Sequence, residues 1–128
     1  MKRNLVIATA GVVLSAIAAA AYLALPRAPA AELTFALKIE HGQVAPNARL
    51  IRVMQGDTVK LELSSDQRQI VHLHGYEIAK LVAPGKLTEF AFTANLTGRF
   101  PIHLHGGAEE PAGAAHEDVL ANIEVYPR

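Results

Sequence analysis

Residues 98–106 read Gly-Arg-Phe-Pro-Ile-His-Leu-His-Gly, and this stretch indicates the kind of fold to expect. Apolar and polar residues alternate in its second half, which is typical of a strand with one face in a core. Successive side chains of a strand point to opposite faces, so His103 and His105 share one face. If Ile102 and Leu104 face the core, the two histidines face away from it. Any site that they form then lies on the surface or rim of the sheet, unless a bulge changes the alternation.

Residues 70–75 read Ile-Val-His-Leu-His-Gly and repeat the pattern of a His-x-His pair followed by Gly. The two histidines of this pair also share one face of a predicted strand. If the two strands are neighbours, four imidazoles converge. Imidazole binds copper, zinc, nickel and iron, and copper forms the most stable complexes among the divalent ions of this series. We therefore predict a metal site for Cu(II), with zinc as the alternative, whose ligands are His72, His74, His103 and His105.

The segment after the second pair is rich in Gly and Ala. Residues 106–115 are predicted to be a flexible loop, and His116 follows directly. His116 is a fifth candidate ligand, but a histidine at the end of a loop can equally be solvated. Glu117 and Asp118 either accept a hydrogen bond from the second nitrogen of a ligand or are solvated. Two acidic residues of the loop are equally ambiguous, Glu109 and Glu110.

Alternating runs elsewhere predict an all-β domain. Residues 55–57, Gln-Gly-Asp, are a turn signal between two of these runs, and His41 is predicted to be a turn residue because Gly42 follows it. Turn residues recur about every 8–12 residues, which is typical of a β-sandwich or barrel. The predicted strands are residues 33–39, 50–54, 59–63, 70–74, 90–93, 100–104 and 120–125.

The first 31 residues are predicted to lie outside this domain. Residues 1–3 are Met-Lys-Arg, and residues 5–25 carry no charge and are rich in Ala, Val, Leu and Ile. A basic start before an apolar run is the pattern of an export signal, and the run is close to the roughly 20 residues that span a bilayer. Residues 1–31 are therefore either a cleaved signal peptide or an N-terminal membrane anchor with a linker. In both cases residues 32–128 form one periplasmic domain, either soluble or anchored to the inner membrane.

Composition argues against nucleic-acid binding and against thiolate chemistry. The 12 Lys and Arg residues balance the 12 Asp and Glu residues, so the chain has no electrostatic basis for binding nucleic acid. The chain has no Cys, so neither disulfides nor thiolate ligands are available to it.

The order of several short motifs over residues 32–127 resembles the cupredoxin family, in particular its periplasmic members without Cys. This resemblance implies a Greek-key β-sandwich. The motifs that carry it are Val53-x-x-Gly56-Asp57-x-Val59, the strand with His72, Pro84-Gly85-Lys86, Phe90-x-Phe92, Gly98-x-Phe100-x-Ile102 and Ile123-x-Val125.

The same resemblance implies positions for copper ligands. His72 or His74 matches the first histidine of the family, the family's Cys falls at or near Leu104, and His116 falls where a later ligand returns to the last strand. Blue-copper electron transfer depends on a copper–thiolate bond, so a fast electron carrier is not expected from this chain. Residues 72–75, His-Leu-His-Gly, are instead similar to a copper-binding element of multicopper oxidases.

The expected function is therefore that of a periplasmic copper-binding protein for copper sequestration, tolerance or delivery, which works with another copper-handling protein. One alternative is a metal-free cupredoxin-like structural or interaction domain, because a fold does not imply a function. A second alternative is a small histidine-ligated metalloenzyme. A binding role is preferred over catalysis, because Glu117 is the only residue that we can name as a general base.

Overall fold

Eight strands and a short 3-10 helix form the part of the chain that the structure, a computed structural model, describes: residues 28–106 and 118–128. The predicted signal or anchor up to residue 27 lies outside the described residues, as do Glu109, Glu110, His116 and Glu117. In chain order the elements are β1 (Glu32–Ile39), the 3-10 helix (Pro46–Ala48), β2 (Leu50–Met54), β3 (Thr58–Ser65), β4 (Gln69–Leu73), β5 (Ile78–Val82), β6 (Thr88–Thr93), β7 (Gly98–Gly106) and β8 (Asp118–Tyr126).

The strands form two sheets. One sheet has three strands in the order β1-β3-β6, and the other has five in the order β2-β8-β7-β4-β5. The pairs β1–β3 and β2–β8 are parallel, and the other neighbours are antiparallel. The chain passes between the sheets several times, since β1, β3 and β6 belong to one and the intervening strands to the other. The predicted all-β domain with two sheets is confirmed.

One hydrophobic cluster contains residues from both sheets. In β3 the exposed fraction of Val59, Leu61 and Leu63 is 0%, while Lys60 and Glu62 alternate with them on the other face. Strands of the five-stranded sheet contribute in the same way, with Val71 and Leu73 from β4, Ile102 and Leu104 from β7, and Ile123 and Val125 from β8. Burying a large aliphatic side chain contributes about 1.5–3 kcal/mol, so this alternation supplies the main driving force for the fold.

The two turns that were predicted at residues 55–57 and at His41 are present. Gly56 lies between β2 and β3 with a φ of +91°, a conformation that suits Gly. His41 follows β1 with a φ of +52°, and its amide donates a hydrogen bond of 2.9 Å to Oδ2 of Asp66. Both predictions are confirmed.

A polar contact joins the two ends of the described chain. Asp57, which is 2% exposed, accepts hydrogen bonds of 2.9 Å from the amides of Ala31 and Met54, and it forms an ion pair with Arg128. Arg128 also donates to the carbonyl oxygens of Ala28 and Pro29 at 2.6 and 2.7 Å. These hydrogen bonds and the charge of Arg128 lower the pKa of Asp57, although burial acts in the opposite direction.

Within the two described ranges, no helix is long and apolar enough to cross a membrane. The prediction of a signal or anchor over residues 1–31 stays a prediction.

Candidate metal centre

The two His-x-His pairs lie at adjacent strands, with His72 in β4, His74 directly after it, and His103 and His105 in β7. β4 and β7 are antiparallel neighbours, and His72 lies directly opposite His103. The residues between and beside the histidines, Leu73 in β4 and Leu104 in β7, are buried, whereas the histidines are half-buried. All four imidazoles therefore lie on the outer face of the five-stranded sheet, as the alternation in residues 98–106 predicted for His103 and His105.

A bulge does occur here, but it does not change the alternation in β7. The register passes from Ile102 opposite Ala121 to His103 opposite Val119, so the extra residue, Leu120, belongs to β8. Leu120 and its neighbour Ala121 are both buried, at 4% and 1% exposure, which is what an extra residue in β8 produces.

The imidazole rings are close together. Ring centroids are 4.1 Å apart for His72 and His74, 4.5 Å for His74 and His103, and 5.8 Å for His72 and His105. One ring nitrogen from each of His72, His74 and His105 lies within 4.8 Å of the others. Two nitrogens that bind one ion at about 2.0 Å are about 3 Å apart. Small rotations of the side chains would therefore close these three around a metal ion.

The buried ring nitrogen of His74 bears on whether the cluster can hold a metal ion. Nε2 of His74 is buried and has no hydrogen-bond partner among the residues that the structure describes. A buried polar atom without a partner costs roughly 1–3 kcal/mol. A metal ion bound by this nitrogen would remove that cost, so the donor set fits a metal ion that prefers imidazole.

The turn after β4 requires Gly at position 75. The amide of His74 donates to the carbonyl oxygen of Pro101 at 3.1 Å and so extends the pairing with β7 by one residue. Gly75 has a φ of +86°, and a Cβ at this position would lie 2.4 Å from Cδ1 of Phe100. The Gly that follows the first pair therefore lets Phe100 pack beneath the turn and sets the position of His74.

Glu77 is a residue of the site that the sequence analysis missed. Its Oε1 accepts a hydrogen bond of 3.3 Å from the amide of Gly75, and its Oε2 lies 3.7 Å from Nε2 of His72. The available signal was an acidic residue three positions after a His-x-His pair, in the turn that contains Gly75.

Apart from Glu77, several neighbours of the histidines on the outer face are apolar. Ile70 lies opposite His105, and Val119 lies opposite His103, with exposed fractions of 38% and 53%. Ala79 of β5 lies opposite His72. These neighbours carry no charge, so they neither repel a cation nor compete for it.

A separate ionic network occupies another part of the same face. Glu124 in β8 accepts hydrogen bonds from Arg99, one of them 3.1 Å long, and from Tyr126 at 2.8 Å, and it also pairs with Arg52. The bonds from Arg99 are the main reason why the pKa of Glu124 is lowered.

The remaining sequence candidates are placed as follows. Asp118 begins β8, is exposed and lies opposite Leu104. Leu104, which the cupredoxin resemblance aligns with the family's Cys, is 7% exposed and points into the core. The histidine cluster and the Leu104 side chain therefore lie on opposite faces of one sheet.

No protein-family model matches the sequence, and no curated protein matches it. Solved structures match its fold. A Cu-containing nitrite reductase from Thermus scotoductus SA-01 matches 76% of this chain with a TM-score of 0.58 and 23% identity. A chain of a heme-copper terminal oxidase dimer matches 97% of this chain and 97% of its own length, with a TM-score of 0.57 and 18% identity.

A third similar structure is the blue copper oxidase from Nitrosomonas europaea, which matches 76% of this chain with a TM-score of 0.54 and 19% identity. This chain spans 39% of that oxidase and 28% of the nitrite reductase. Such identities show a shared fold and leave the function of the chain to be argued from its own site. The chain has the cupredoxin-like fold that its motifs predicted.

Proposed function

We propose that this protein binds copper in the periplasm through a site made only of histidines and exchanges it with another copper-handling protein. The observation that carries the proposal is the convergence of His72, His74 and His105, whose nitrogens lie within 4.8 Å of one another. The buried Nε2 of His74, which lacks a hydrogen-bond partner among the described residues, supports it.

The chemistry of the donors favours copper. Three imidazoles, with His103 beside them, offer nitrogen ligands of the kind that Cu(II) binds more tightly than other divalent ions of its series. Zinc also binds imidazole and is the second candidate. The solved structures with this fold include a protein described as a blue copper oxidase and one described as a Cu-containing nitrite reductase, which agrees with copper as the metal.

The exposure of the site favours binding and release over a permanent cofactor. The three histidines are half-buried on the outer face of a sheet, so a second protein can reach a bound ion. Apolar neighbours such as Ile70 and Val119 provide surface that a partner could cover. We therefore prefer delivery among the three roles expected from the sequence, and a binding role over catalysis.

The location in the periplasm rests on the basic and apolar pattern of residues 1–31. Fractionation of cells that produce the full chain with a C-terminal tag would test it. Tagged protein in the periplasmic fraction, or in the inner membrane with the tag accessible from the periplasm, agrees with export. A tag found in the cytosol contradicts it.

The function is tested by titrating the purified domain with Cu(II) and following the signal by electron paramagnetic resonance. We expect one copper ion per chain and a signal typical of nitrogen ligands in a tetragonal site. The variant with His72, His74 and His105 changed to Ala should lose this signal. The variant His41→Ala, which alters an exposed turn, should keep it. Binding that survives the triple substitution would overturn the proposal.

Thermal unfolding with and without metal separates the proposal from a metal-free structural role. A ligand that binds only the folded state stabilises it by about 2.7 kcal/mol at a hundredfold excess over its Kd. We expect a clear rise in Tm with copper. An unchanged Tm would favour a metal-free structural domain. Turnover of a substrate by the copper-loaded protein would favour a small histidine-ligated metalloenzyme.

A further inference from the structure

Glu77 lies in the turn that joins β4 to β5 and has an unusual backbone conformation. Its φ is +53°, in the left-handed region that Gly or Asn adopts more readily than Glu. Its side chain is 78% exposed, so burial does not explain why this residue type stands here. A strained residue beside a cluster of metal-ligand type suggests that its side chain has a task.

Both oxygens of the Glu77 carboxylate are directed back toward the histidine turn. Oε1 accepts a hydrogen bond of 3.3 Å from the amide of Gly75, which fixes the carboxylate relative to the turn. Oε2 then lies 3.7 Å from Nε2 of His72. This distance is slightly longer than a hydrogen bond and would become one after a small movement of either side chain.

The contact determines which nitrogen of His72 is free to bind a metal ion. A neutral imidazole carries one proton, and the nitrogen that carries it cannot bind a metal. A carboxylate beside Nε2 attracts the proton to that nitrogen, which leaves Nδ1 with its lone pair. Carboxylates that accept a hydrogen bond from a ligand histidine also fix the orientation of the ring and make it a stronger donor.

We propose that Glu77 is a positioning residue of the metal site. Its carboxylate accepts a hydrogen bond from Nε2 of His72, holds the ring in one orientation and assigns Nδ1 as the nitrogen that binds copper. This inference rests on the proposed function, because it concerns the same site. It adds a residue outside the His-x-His pairs and a defined tautomer.

Three variants test the proposal. Glu77→Gln removes the charge and retains the shape, while Glu77→Gly removes the carboxylate and also relieves the positive φ. Glu32→Gln, at the exposed start of β1 in the other sheet, makes the same change of charge away from the site. Cu(II) affinity is measured by competition with a chelator, and the tautomer of His72 by nitrogen-15 NMR of the metal-free protein at pH 8.

We expect the wild-type protein to carry its His72 proton on Nε2. Glu77→Gln and Glu77→Gly should weaken Cu(II) binding by roughly 10-fold to 100-fold, the range seen when such an outer partner is lost, and they should change the copper resonance signal. Glu77→Gly should not lower the Tm, because Gly adopts this φ without strain. Glu32→Gln should match the wild type in every measurement.

The outcomes separate this inference from the proposed function. A wild-type protein that fails to bind copper overturns the proposed function, and the role of Glu77 at a metal site falls with it, whatever the tautomer. Copper binding by Glu77→Gln with wild-type affinity and signal overturns only the role of Glu77. A wild-type His72 with its proton on Nδ1 also overturns only the role of Glu77, because Nδ1 would then not be the nitrogen that is free to bind copper.

Discussion

At the scale of single residues, the order of side chains along two strands places the site. Because each histidine alternates with a buried aliphatic residue, both pairs lie outside the core, and for His103 and His105 this could be predicted from residues 98–106 alone. Which histidines bring their ring nitrogens together could not be predicted, because that depends on the relative positions of two strands and on rotamers. The structure selects His72, His74 and His105.

Single substitutions to Ala should therefore differ in their effect on copper affinity. Losing His72, His74 or His105 removes a ligand and should cost at least about 100-fold, the upper end of what the loss of an outer partner costs. His103→Ala should cost about 10-fold or less, because the His103 ring adjoins His74 at 4.5 Å without belonging to the group of three. Isothermal titration of the four variants checks the ranking. Equal losses at all four positions would indicate a four-histidine site.

Gly75→Ala should destabilise the fold more than Gly42→Ala does. Both glycines have a positive φ, +86° and +75°, so both substitutions carry a similar backbone cost of about 1–2 kcal/mol. Only at Gly75 would the new Cβ meet another group, the ring of Phe100 at 2.4 Å, whereas Gly42 has nothing within 4 Å. Overpacking adds about 1–3 kcal/mol. Urea unfolding of both variants measures the difference, and equal free energies of unfolding would contradict it.

At the scale of elements, seven of the eight strands could be predicted because each has a buried face and an exposed face. β5 was missed: it is an edge strand with exposed residues at Ala79, Lys80 and Leu81, so its sequence lacks the alternation. The sequence analysis had to assume that the two histidine strands are neighbours, because the pairing of β4 with β7 could not be predicted from the sequence. Strand order is set by contacts between residues far apart in the chain, and the site depends on it.

The opposite orientations of Leu104 and the histidines can be tested by introducing a Cys at position 104, which the resemblance aligns with the Cys of the cupredoxin family. Leu104→Cys places a thiol in the core, on the face away from His103 and His105. We expect copper binding to continue without the intense blue colour of a copper–thiolate bond. Visible absorption spectra of the copper-loaded variant check this, with wild type as the control. A blue protein would show that the two faces can supply ligands to one ion.

At the scale of the whole molecule, one polar cluster ties the start of the described chain to its end. Asp57 joins the turn after β2 to Ala31 and Arg128, so the segment before β1 and the segment after β8 are held together. This polar cluster lies away from the sheet face that carries the histidines, because Asp57 is in the turn between β2 and β3. The stability of the domain and its metal affinity should therefore respond to different substitutions.

Asp57→Asn should destabilise the protein in a way that depends on pH. At pH 7 the loss should be about 3–5 kcal/mol, since the substitution breaks a buried ion pair. The folded-state pKa of Asp57 is lowered, so its stabilising effect is complete above the ordinary carboxyl value of 3.8 and is lost as the pH falls through the lower folded-state pKa.

The difference in unfolding free energy between wild type and Asp57→Asn should therefore shrink below pH 3.8, where the wild-type carboxyl becomes protonated and resembles the amide. Urea unfolding of both proteins between pH 7 and pH 3 measures it. Glu32→Gln, a change of the same charge at an exposed position, should track the wild type throughout. A difference between wild type and Asp57→Asn that stays constant with pH would mean that packing of the side chain stabilises this end of the molecule, because Asp57 is the only titrating group that differs between the two proteins.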